Sequence, residues 1–256
     1  FVSLLILSLG GLREYFQLFP PGNDRRYRWH SYLAAAIYLA GLFSGGQGFA
    51  LTANLPALEG SVIALLMISI VLSRLRPPLD GIRTLHEMMV GDFGFVYIIL
   101  QIGFVGRILR LPHGENQGQV EFYLLYLLAV TKFTDTGAYA IGSLIGRDKM
   151  VPNISPGKTW QGFGGAIFAA FVASFGCLWL LGDKIPLISA GHAAILAILL
   201  ALIAVLGDLA ESILKRSLGA KDSGHLFPGI GGILDLIDSL LFTAPVFYFY
   251  LVILSR

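Results

Sequence analysis

The sequence has one cysteine and few charged residues. Cys177 lies in an apolar run, so the chain has no partner for an internal disulfide and no cysteine cluster for a metal. Charged residues make up 13% of the chain, against about 25% in soluble domains. The net charge is only +2, and the basic residues form no stripe that would bind nucleic acid. These scarcities argue against a soluble enzyme, a disulfide scaffold and a nucleic-acid-binding protein.

Several common catalytic motifs are absent as well. The sequence contains no G-x-x-x-x-G-K-[ST], no G-x-S-x-G, no H-E-x-x-H and no paired-cysteine zinc pattern. P-loop, serine-hydrolase and zinc-protease chemistry are therefore excluded. A reaction whose nucleophile is already an anionic phosphate needs none of these motifs, only positioning and charge neutralisation.

Hydrophobic residues, in contrast, make up 55% of the 256-residue chain. Apolar runs near the length of about 20 residues that spans a bilayer recur from end to end. Because lipid leaves only helices or closed barrels, and no ten-residue alternation is present, the predicted fold is an all-α polytopic membrane bundle. About eight spans are predicted, at 1–12, 32–54, 57–73, 89–106, 120–141, 162–182, 190–210 and 233–254.

The first apolar run begins at Phe1 without a basic region before it. We interpret it as the remnant of a truncated first helix and not as a signal peptide. We divide the chain into an N-terminal transmembrane region, 1–110, and a C-terminal catalytic transmembrane region, 111–256.

The loops between the predicted spans differ in positive charge. Short loops rich in lysine and arginine stay in the cytosol. If the spans alternate, thirteen of these residues fall on one side and four on the other, with Lys132 left inside a span. The loops at 142–161 and 211–232 both fall on the richer side. We therefore expect both loops to face the cytosol and to contribute to one site.

The loop at 211–232 continues from a membrane helix that carries polar residues. Asp208 follows a long apolar run. An ionisable residue at the hydrocarbon edge is energetically costly, so Asp208 is a candidate for a functional residue. The alternative is that Asp208 only pairs with Lys215 or Arg216 at the helix end. Four residues share one helical stripe because their spacing is i, i+3, i+4 and i+7: Asp208, Glu211, Ser212 and Lys215.

Two further acids, Asp235 and Asp238, stand three residues apart at the start of the last span. Like charges this close repel each other unless a cation or a proton lies between them. Together with Asp208 they offer the hard oxygen ligands that Mg²⁺ prefers. The alternative is that they compensate the helix dipole, which accounts for one aspartate better than for two.

A glycine-rich turn, PGIGG at 228–232, precedes these acids. Glycines let backbone N–H groups approach an anion, and the next helix adds its positive dipole end. Lys215, Arg216 and Lys221 add fixed positive charge. On its own such a turn is a common connector. Acids for a metal, bases for phosphates and glycines for close approach together predict phosphoryl or nucleotidyl chemistry.

The second polar loop is DTGAYAIGSLIGRDKMVPNISPGKTWQG, residues 135–162. Asp135 and Tyr139 are spaced i, i+4 near the end of a span. The segment Ser155–Thr159 is predicted to form an exposed turn that offers two hydroxyls and the Lys158 ammonium. Alone, this loop reads equally well as a basic segment in contact with lipid head groups.

Three segments resemble the signature of a known family. GDLAESILKRSLGAKDSGHLFPGIGGILDLIDS resembles the signature of the phosphatidate cytidylyltransferases, also called CDP-diglyceride synthases. SPGKTWQG is similar to that family's S-P-K-K-T-x-E-G loop, and DTGAYAIGSLIGR to its D-x-x-A-Y-x-x-G-x-x-x-G-[RK] segment. The detailed likeness covers residues 131–245, and the N-terminal half agrees only in being a series of spans.

The resemblance implies that CTP and phosphatidic acid react to give CDP-diacylglycerol and pyrophosphate, with Mg²⁺ required. Whether a second, monovalent cation joins the Mg²⁺, and whether the chain forms a homodimer, stays open. Metal-binding roles are implied for Asp208, Asp235 and Asp238. Catalytic roles are expected for Lys215, Arg216, Lys221, Asp222 and Asp238. Substrate-binding roles are expected for Ser155, Lys158, Ser212, Asp135, Tyr139, Gly229, Gly231 and Gly232.

The expected location is the plasma membrane of a bacterium, with the site facing the cytosol. A site at the bilayer edge would let the lipid enter sideways while CTP arrives from the cytosol. Two alternatives stay open. Another lipid nucleotidyltransferase or a CTP-dependent polyprenol kinase would share this design, and an ion-coupled transporter would use the three aspartates to bind its ion.

The sequence departs from the family pattern at four places. Ile230 stands where histidine is usual in P-G-H-G-G, and Leu236 where arginine is usual in D-R-x-D. Gly157 replaces a lysine, and Gln161 replaces a glutamate. His225 lies five residues before Ile230, and we do not assign it the missing histidine's role. All three predicted metal carboxylates are present, so we expect a working enzyme with altered substrate contacts.

Overall fold

The computed structural model describes residues 2–19, 25–44, 55–75, 79–111, 119–224, 226 and 231–255. Within these ranges the chain forms long helices and one β-hairpin. A π-helical segment, Phe95–Leu100, interrupts one helix. The helices are α1 (Val2–Gln17), α2 (Arg25–Phe43), α3 (Leu55–Ser73), α4 (Ile82–Ile108), α5 (Val120–Ile145), α6 (Trp160–Leu181), α7 (Ala190–Ser217) and α8 (Ile233–Leu254).

The predicted all-α membrane fold is confirmed. Among the described residues, α3, α4, α6, α7 and α8 are long and apolar enough to cross a membrane. The predicted spans 1–12 and 120–141 lie along α1 and α5. The predicted span 32–54 overlaps α2 as far as Phe43, and its residues 45–54 lie outside the described residues. Helix α1 has 16 residues, α2 begins with several arginines, and the apolar run of α5 is interrupted by Lys132 and Asp135. These features separate the described parts of these three helices from the other five.

A short β-hairpin follows α5. Strand β1 (Lys149–Val151) pairs antiparallel with β2 (Ser155–Thr159), with Lys149 opposite Thr159 and an irregularity along β1. The prediction of an exposed turn at Ser155–Thr159 is wrong, because the turn lies just before it, at 152–154. Pro152 and Asn153 in that triplet are common turn formers, and residues 155–159 form strand β2 instead.

The chain divides into two units. The first comprises residues 1–106 and 222–235, and the second comprises residues 107–221 and 236–256. The division by sequence at 110/111 placed residues 222–235 with the C-terminal region. As a statement about which region is catalytic, that division stays a prediction.

In the first unit, α4 packs through small residues against aromatic side chains. The Tyr15 ring from α1 is buried, and its hydroxyl donates to the Val90 carbonyl at 3.0 Å. A Cβ at Gly94 would lie 2.8 Å from Tyr15 Cδ1, so any residue larger than glycine would clash with the ring in this position. Ser31 of α2 donates to the Gly91 carbonyl at 3.1 Å. Close approach through small residues is typical of membrane helices.

Helices of the second unit also pack closely at glycine residues. A Cβ at Gly137 on α5 would lie 2.6 Å from the Gly165 carbonyl oxygen on α6. A Cβ at Gly207 on α7 would lie 2.8 Å from the Asp238 carbonyl oxygen on α8. The second of these contacts brings Asp208, the next residue on α7, to the beginning of α8.

Candidate active site

The second unit contains a cavity of about 350 Å³, a size common for small-molecule sites. Its lining comes from α5, the hairpin, the start of α6 and the end of α7. Five of the residues predicted for the site line it together: Asp135, Tyr139, Ser155, Lys158 and Asp208. Residues of the polar segment 135–162 and Asp208 of α7 therefore converge on one space, whereas no described residue of the loop at 211–232 lines it.

Two residues of the cavity lining form an ion pair. Lys158 Nζ lies 3.1 Å from Asp208 Oδ2, and the ammonium also donates to the Val205 carbonyl at 3.2 Å. The two side chains are 21% and 27% exposed, so both reach the cavity surface. An anion that enters the cavity meets the Lys158 ammonium, and a cation meets the Asp208 carboxylate.

The hairpin positions Lys158 through the start of α6. Thr159 caps α6, since its side chain accepts a hydrogen bond from the Gly162 N–H at 3.1 Å. Gln161 accepts from the backbone N–H groups of Arg147 and Asp148 at 3.1 and 3.2 Å and donates to the Asp148 carboxylate at 2.6 Å. Gln161, one of the departures from the family pattern, therefore ties the beginning of α6 to the segment before β1.

A second charged group joins α5 to α8. Lys132 Nζ donates to Asp135 Oδ2 at 3.1 Å, to Ser239 Oγ at 3.2 Å and to the Leu236 carbonyl at 2.9 Å. Ser239 Oγ donates to Asp135 Oδ2 at 2.9 Å. The orientation of Asp135 at the cavity is therefore set by two donors from different helices. Lys132 was noted in the sequence only as a charge inside a span.

Four carboxylates of this unit interact electrostatically with one another or with one of three lysines. Three pairs form: Lys132 with Asp135 at 3.1 Å, Lys158 with Asp208 at 3.1 Å, and Lys215 with Glu211 at 2.8 Å. The fourth carboxylate, Asp238, accepts from the Ser239 N–H at 2.6 Å. Asp238 interacts electrostatically with Asp208, Glu211 and Asp135.

The carboxylates suit a divalent cation in charge but do not form a closed cage. Among the described residues, no three acidic, histidine or cysteine side chains converge on one point as metal ligands. Among the four carboxylates and three lysines named above, three carboxylates form an ion pair with a lysine, and Asp238 is the fourth carboxylate, within electrostatic range of Asp208. Mg²⁺ is usually held by one or two carboxylates together with substrate phosphates. Asp208 and Asp238 are a donor set of that kind.

Four more predicted residues of the second unit lie in the last two turns of α7 or just after it. Ser212 is half-buried, and the Lys215 ammonium contacts Glu211, whose side chain is 2% exposed. Arg216 donates to the carbonyls of Ile154 and Ala220, both at 3.4 Å. Lys221 is exposed. None of these four predicted residues lines the cavity.

The first unit contains Asp222, Gly231, Gly232 and Asp235. The Asp235 carboxylate oxygen Oδ2 accepts from the Gly232 N–H at 2.7 Å and from the Ser223 N–H and Oγ at 3.2 and 2.7 Å. Gly231 has φ +108°, which L side chains rarely adopt, and Asp222 is exposed. Asp235 therefore caps the start of α8, as the dipole alternative predicts for one of the two aspartates. Gly229, His225 and Ile230 lie outside the described residues.

Comparison with known proteins identifies the family. The chain matches the cytidylyltransferase family over residues 1–254. This chain belongs to that family. Membership covers the N-terminal helices as well as the charged loops, although the sequence motifs alone had related only residues 131–245 to it.

Individual proteins are similar over the greater part of this chain. It is 40% identical over 164 residues to the phosphatidate cytidylyltransferase of Haemophilus influenzae, covering 60% of this chain and 55% of that protein. It is 42% identical over 133 residues to the Bacillus subtilis phosphatidate cytidylyltransferase, covering 52% and 48%. It is 36% identical over 167 residues to the uncharacterized protein YnbB of Escherichia coli, covering 65% and 54%. The matched part spans about half the length of each of these relatives.

Proposed function

We propose that this membrane protein transfers CMP from CTP to phosphatidic acid, giving CDP-diacylglycerol and pyrophosphate. The observation that carries the proposal is the cavity in which the predicted Asp135, Lys158 and Asp208 meet. Two relatives that carry the name phosphatidate cytidylyltransferase support the choice of reaction.

The reaction requires little acid–base chemistry. A phosphate oxygen of phosphatidic acid attacks the α-phosphorus of CTP, a new P–O bond forms, and the bond to the β-phosphate breaks as pyrophosphate leaves with its electron pair. The nucleophile is already an anion, so the absence of a serine nucleophile or a strong base is expected. The protein must hold two polyanions together and offset their repulsion.

Lys158 is the residue placed to bind a phosphate oxygen in the cavity. In the structure its ammonium contacts Asp208, and an entering phosphate competes with that carboxylate for it. When the phosphate binds the Lys158 ammonium, Asp208 loses its cationic partner. The release of Asp208 then coincides with the arrival of the nucleotide.

Mg²⁺ is the proposed cofactor, with Asp208 and Asp238 as the residues of the second unit that would hold it. When bound, it supplies positive charge to the phosphates. Lys132 orients Asp135 beside this pair and adds a fixed positive charge. Asp235 is proposed as a further metal ligand on the strength of the family resemblance, in addition to its capping hydrogen bonds.

The proposed location is the plasma membrane of a bacterium, with the cavity open to the cytosol. The bias of lysine and arginine towards the loops at 142–161 and 211–232 supports this orientation. CTP is a cytosolic, charged substrate, and phosphatidic acid lies in the bilayer. In the proposed orientation, a cavity at the ends of α5, α6 and α7 would be accessible to both.

The test is a product assay on purified protein in lipid–detergent micelles. Labelled CTP is offered with phosphatidic acid, with a polyprenol or with diacylglycerol, in the presence of Mg²⁺. The proposal predicts CDP-diacylglycerol and pyrophosphate with phosphatidic acid only. Phosphorylation of an alcohol, with CDP as the second product, would identify a CTP-dependent kinase instead. No CTP turnover with any acceptor by well-folded protein would contradict both.

A further inference from the structure

The first unit contains a buried acid that the sequence did not single out. Glu14, on α1, is 7% exposed. Its Oε2 accepts a hydrogen bond from the Leu234 N–H at 2.8 Å, and Ser223 Oγ lies 3.4 Å away. A buried carboxylate is costly unless it is hydrogen-bonded, so a role in this contact explains its presence. The contact joins residues more than two hundred positions apart.

Two glycines hold the Glu14 carboxylate between them. A Cβ at Gly224 would lie 2.6 Å from Glu14 Oε1, and a Cβ at Gly232 would lie 2.7 Å from Glu14 Cδ. Both distances are too short for a real side chain, so the carboxylate needs glycine on both sides. At least these two glycines of the signature segment are therefore explained by the space that Glu14 occupies.

Glu14 and Asp235 together satisfy backbone N–H groups around the start of α8. Asp235 accepts from the Gly232 N–H at 2.7 Å, and Glu14 accepts from the Leu234 N–H at 2.8 Å. The first N–H groups of a helix have no partner within it, and negative charge is favourable there. Ser223 donates to Asp235 and lies next to Glu14, so the two acids share one hydroxyl neighbour.

We propose that Glu14 is a positioning residue for the signature segment around Ser223, Gly232 and Asp235. By holding the Leu234 N–H and filling the space between Gly224 and Gly232, it determines where Asp235 is placed. The inference rests on the proposed function, because Asp235 is a residue of the proposed reaction. It gives the N-terminal helix a part in catalysis without direct contact with substrate.

The experiment compares Glu14→Gln with Glu87→Gln. Glu87 is a matched control, since it is also a buried acid of the first unit, 5% exposed, and contacts Arg74 and Arg83 instead of the signature segment. Three quantities are measured for each variant: hydrogen exchange of the Gly232 and Leu234 amides without substrate, the melting temperature, and kcat and KM for CTP. Glu14→Ala is the more severe variant, which also removes the acceptor.

Glutamine keeps one acceptor for the Leu234 N–H but loses the charge, so Glu14→Gln should be intermediate between wild type and Glu14→Ala. In Glu14→Gln, the Leu234 amide should exchange about tenfold faster or more, because its opening becomes easier. The value of kcat should fall by about 10- to 100-fold, as is usual when a supporting residue of a site is lost. Glu87→Gln should leave the Leu234 exchange rate unchanged.

Unchanged exchange at Leu234 in Glu14→Gln would overturn the inference. A loss of kcat that follows the melting temperature equally in both glutamine variants would overturn it too, because Glu14 would then be structural only. The exchange measurement needs no catalysis, so it is informative even if wild type makes no CDP-diacylglycerol. Inactive wild type with fast exchange in Glu14→Gln would refute the proposed function and leave the positioning role supported.

Discussion

Lys158 Nζ and Asp208 Oδ2 lie 3.1 Å apart at the surface of one cavity. The pair joins the hairpin to α7. Among the described residues of the two motif segments that contain the pair, Lys158 is the only cation and Asp208 the only acid in the cavity lining. A partly exposed ion pair contributes little stability, on the order of 0–1 kcal/mol. The proposed function gives each partner a ligand of its own, a phosphate for Lys158 and Mg²⁺ for Asp208.

Asp208→Asn should abolish most turnover while the protein still folds. The change removes the negative charge proposed to bind Mg²⁺ and alters the volume little, so we expect a loss of at least about 100-fold in kcat/KM. CDP-diacylglycerol formation and the melting temperature are measured together. Asp183→Asn, at an exposed position outside the cavity lining, is the control. Loss of stability with activity retained would favour simple helix-end pairing.

Asp235→Asn and Asp238→Asn should differ in stability. Asp235 Oδ2 accepts from Gly232 and Ser223, and charge-assisted bonds of this kind are each worth about 1.5–3 kcal/mol. Asp238 has one such bond in the described structure, to the Ser239 N–H. Chemical denaturation should therefore show a lower unfolding free energy for Asp235→Asn than for Asp238→Asn, with low activity in both. Equal stabilities would mean that the capping bonds of Asp235 contribute little.

The charge around Leu236 should determine how much Mg²⁺ the enzyme needs. Lys132 donates to the Leu236 carbonyl and to Asp135, so Lys132→Met removes positive charge from beside the acids and should raise the Mg²⁺ concentration for half-maximal activity. Leu236→Arg restores a cation where the family usually has arginine, and it should lower that concentration. The double variant should lie between the two.

A Mg²⁺ titration of CDP-diacylglycerol synthesis separates these variants. An unchanged or raised requirement in Leu236→Arg would show that this side chain does not act on the site's electrostatics. Lys132→Arg, which keeps the charge with a different shape, distinguishes charge from geometry.

The loops around Lys158 and Lys215 should both face the cytosol. Cysteine is introduced at each position in a Cys177→Ala background and labelled with an impermeant maleimide in intact cells and in inverted vesicles. Charge bias predicts labelling in inverted vesicles only. A cysteine at Asp183, in the loop predicted on the opposite side, should react in intact cells. Labelling of either lysine position from outside would contradict the proposed orientation.

Features that depend on local sequence could be predicted, and features that depend on distant contacts could not. Apolar runs predict the helices because burial in lipid depends on composition over about 20 residues. Asp135, Lys158 and Asp208 were found because each lies in a motif. Two other residues were missed because their neighbours are far along the chain: Lys132 contacts Ser239, and Glu14 contacts Leu234. The hairpin was missed because two strands this short and polar leave no alternating apolar pattern.

Thr159 is both the last residue of β2 and the cap of α6, so Lys158 stands one residue before a membrane helix begins. Each residue of an α-helix turns the chain by about 100°, and an insertion next to the cap would turn Lys158 away from Asp208 by that amount. The turn at 152–154 could absorb an extra residue without this effect. Over evolution, length changes in this protein should therefore accumulate in the turn and be rejected between Lys158 and Gly162.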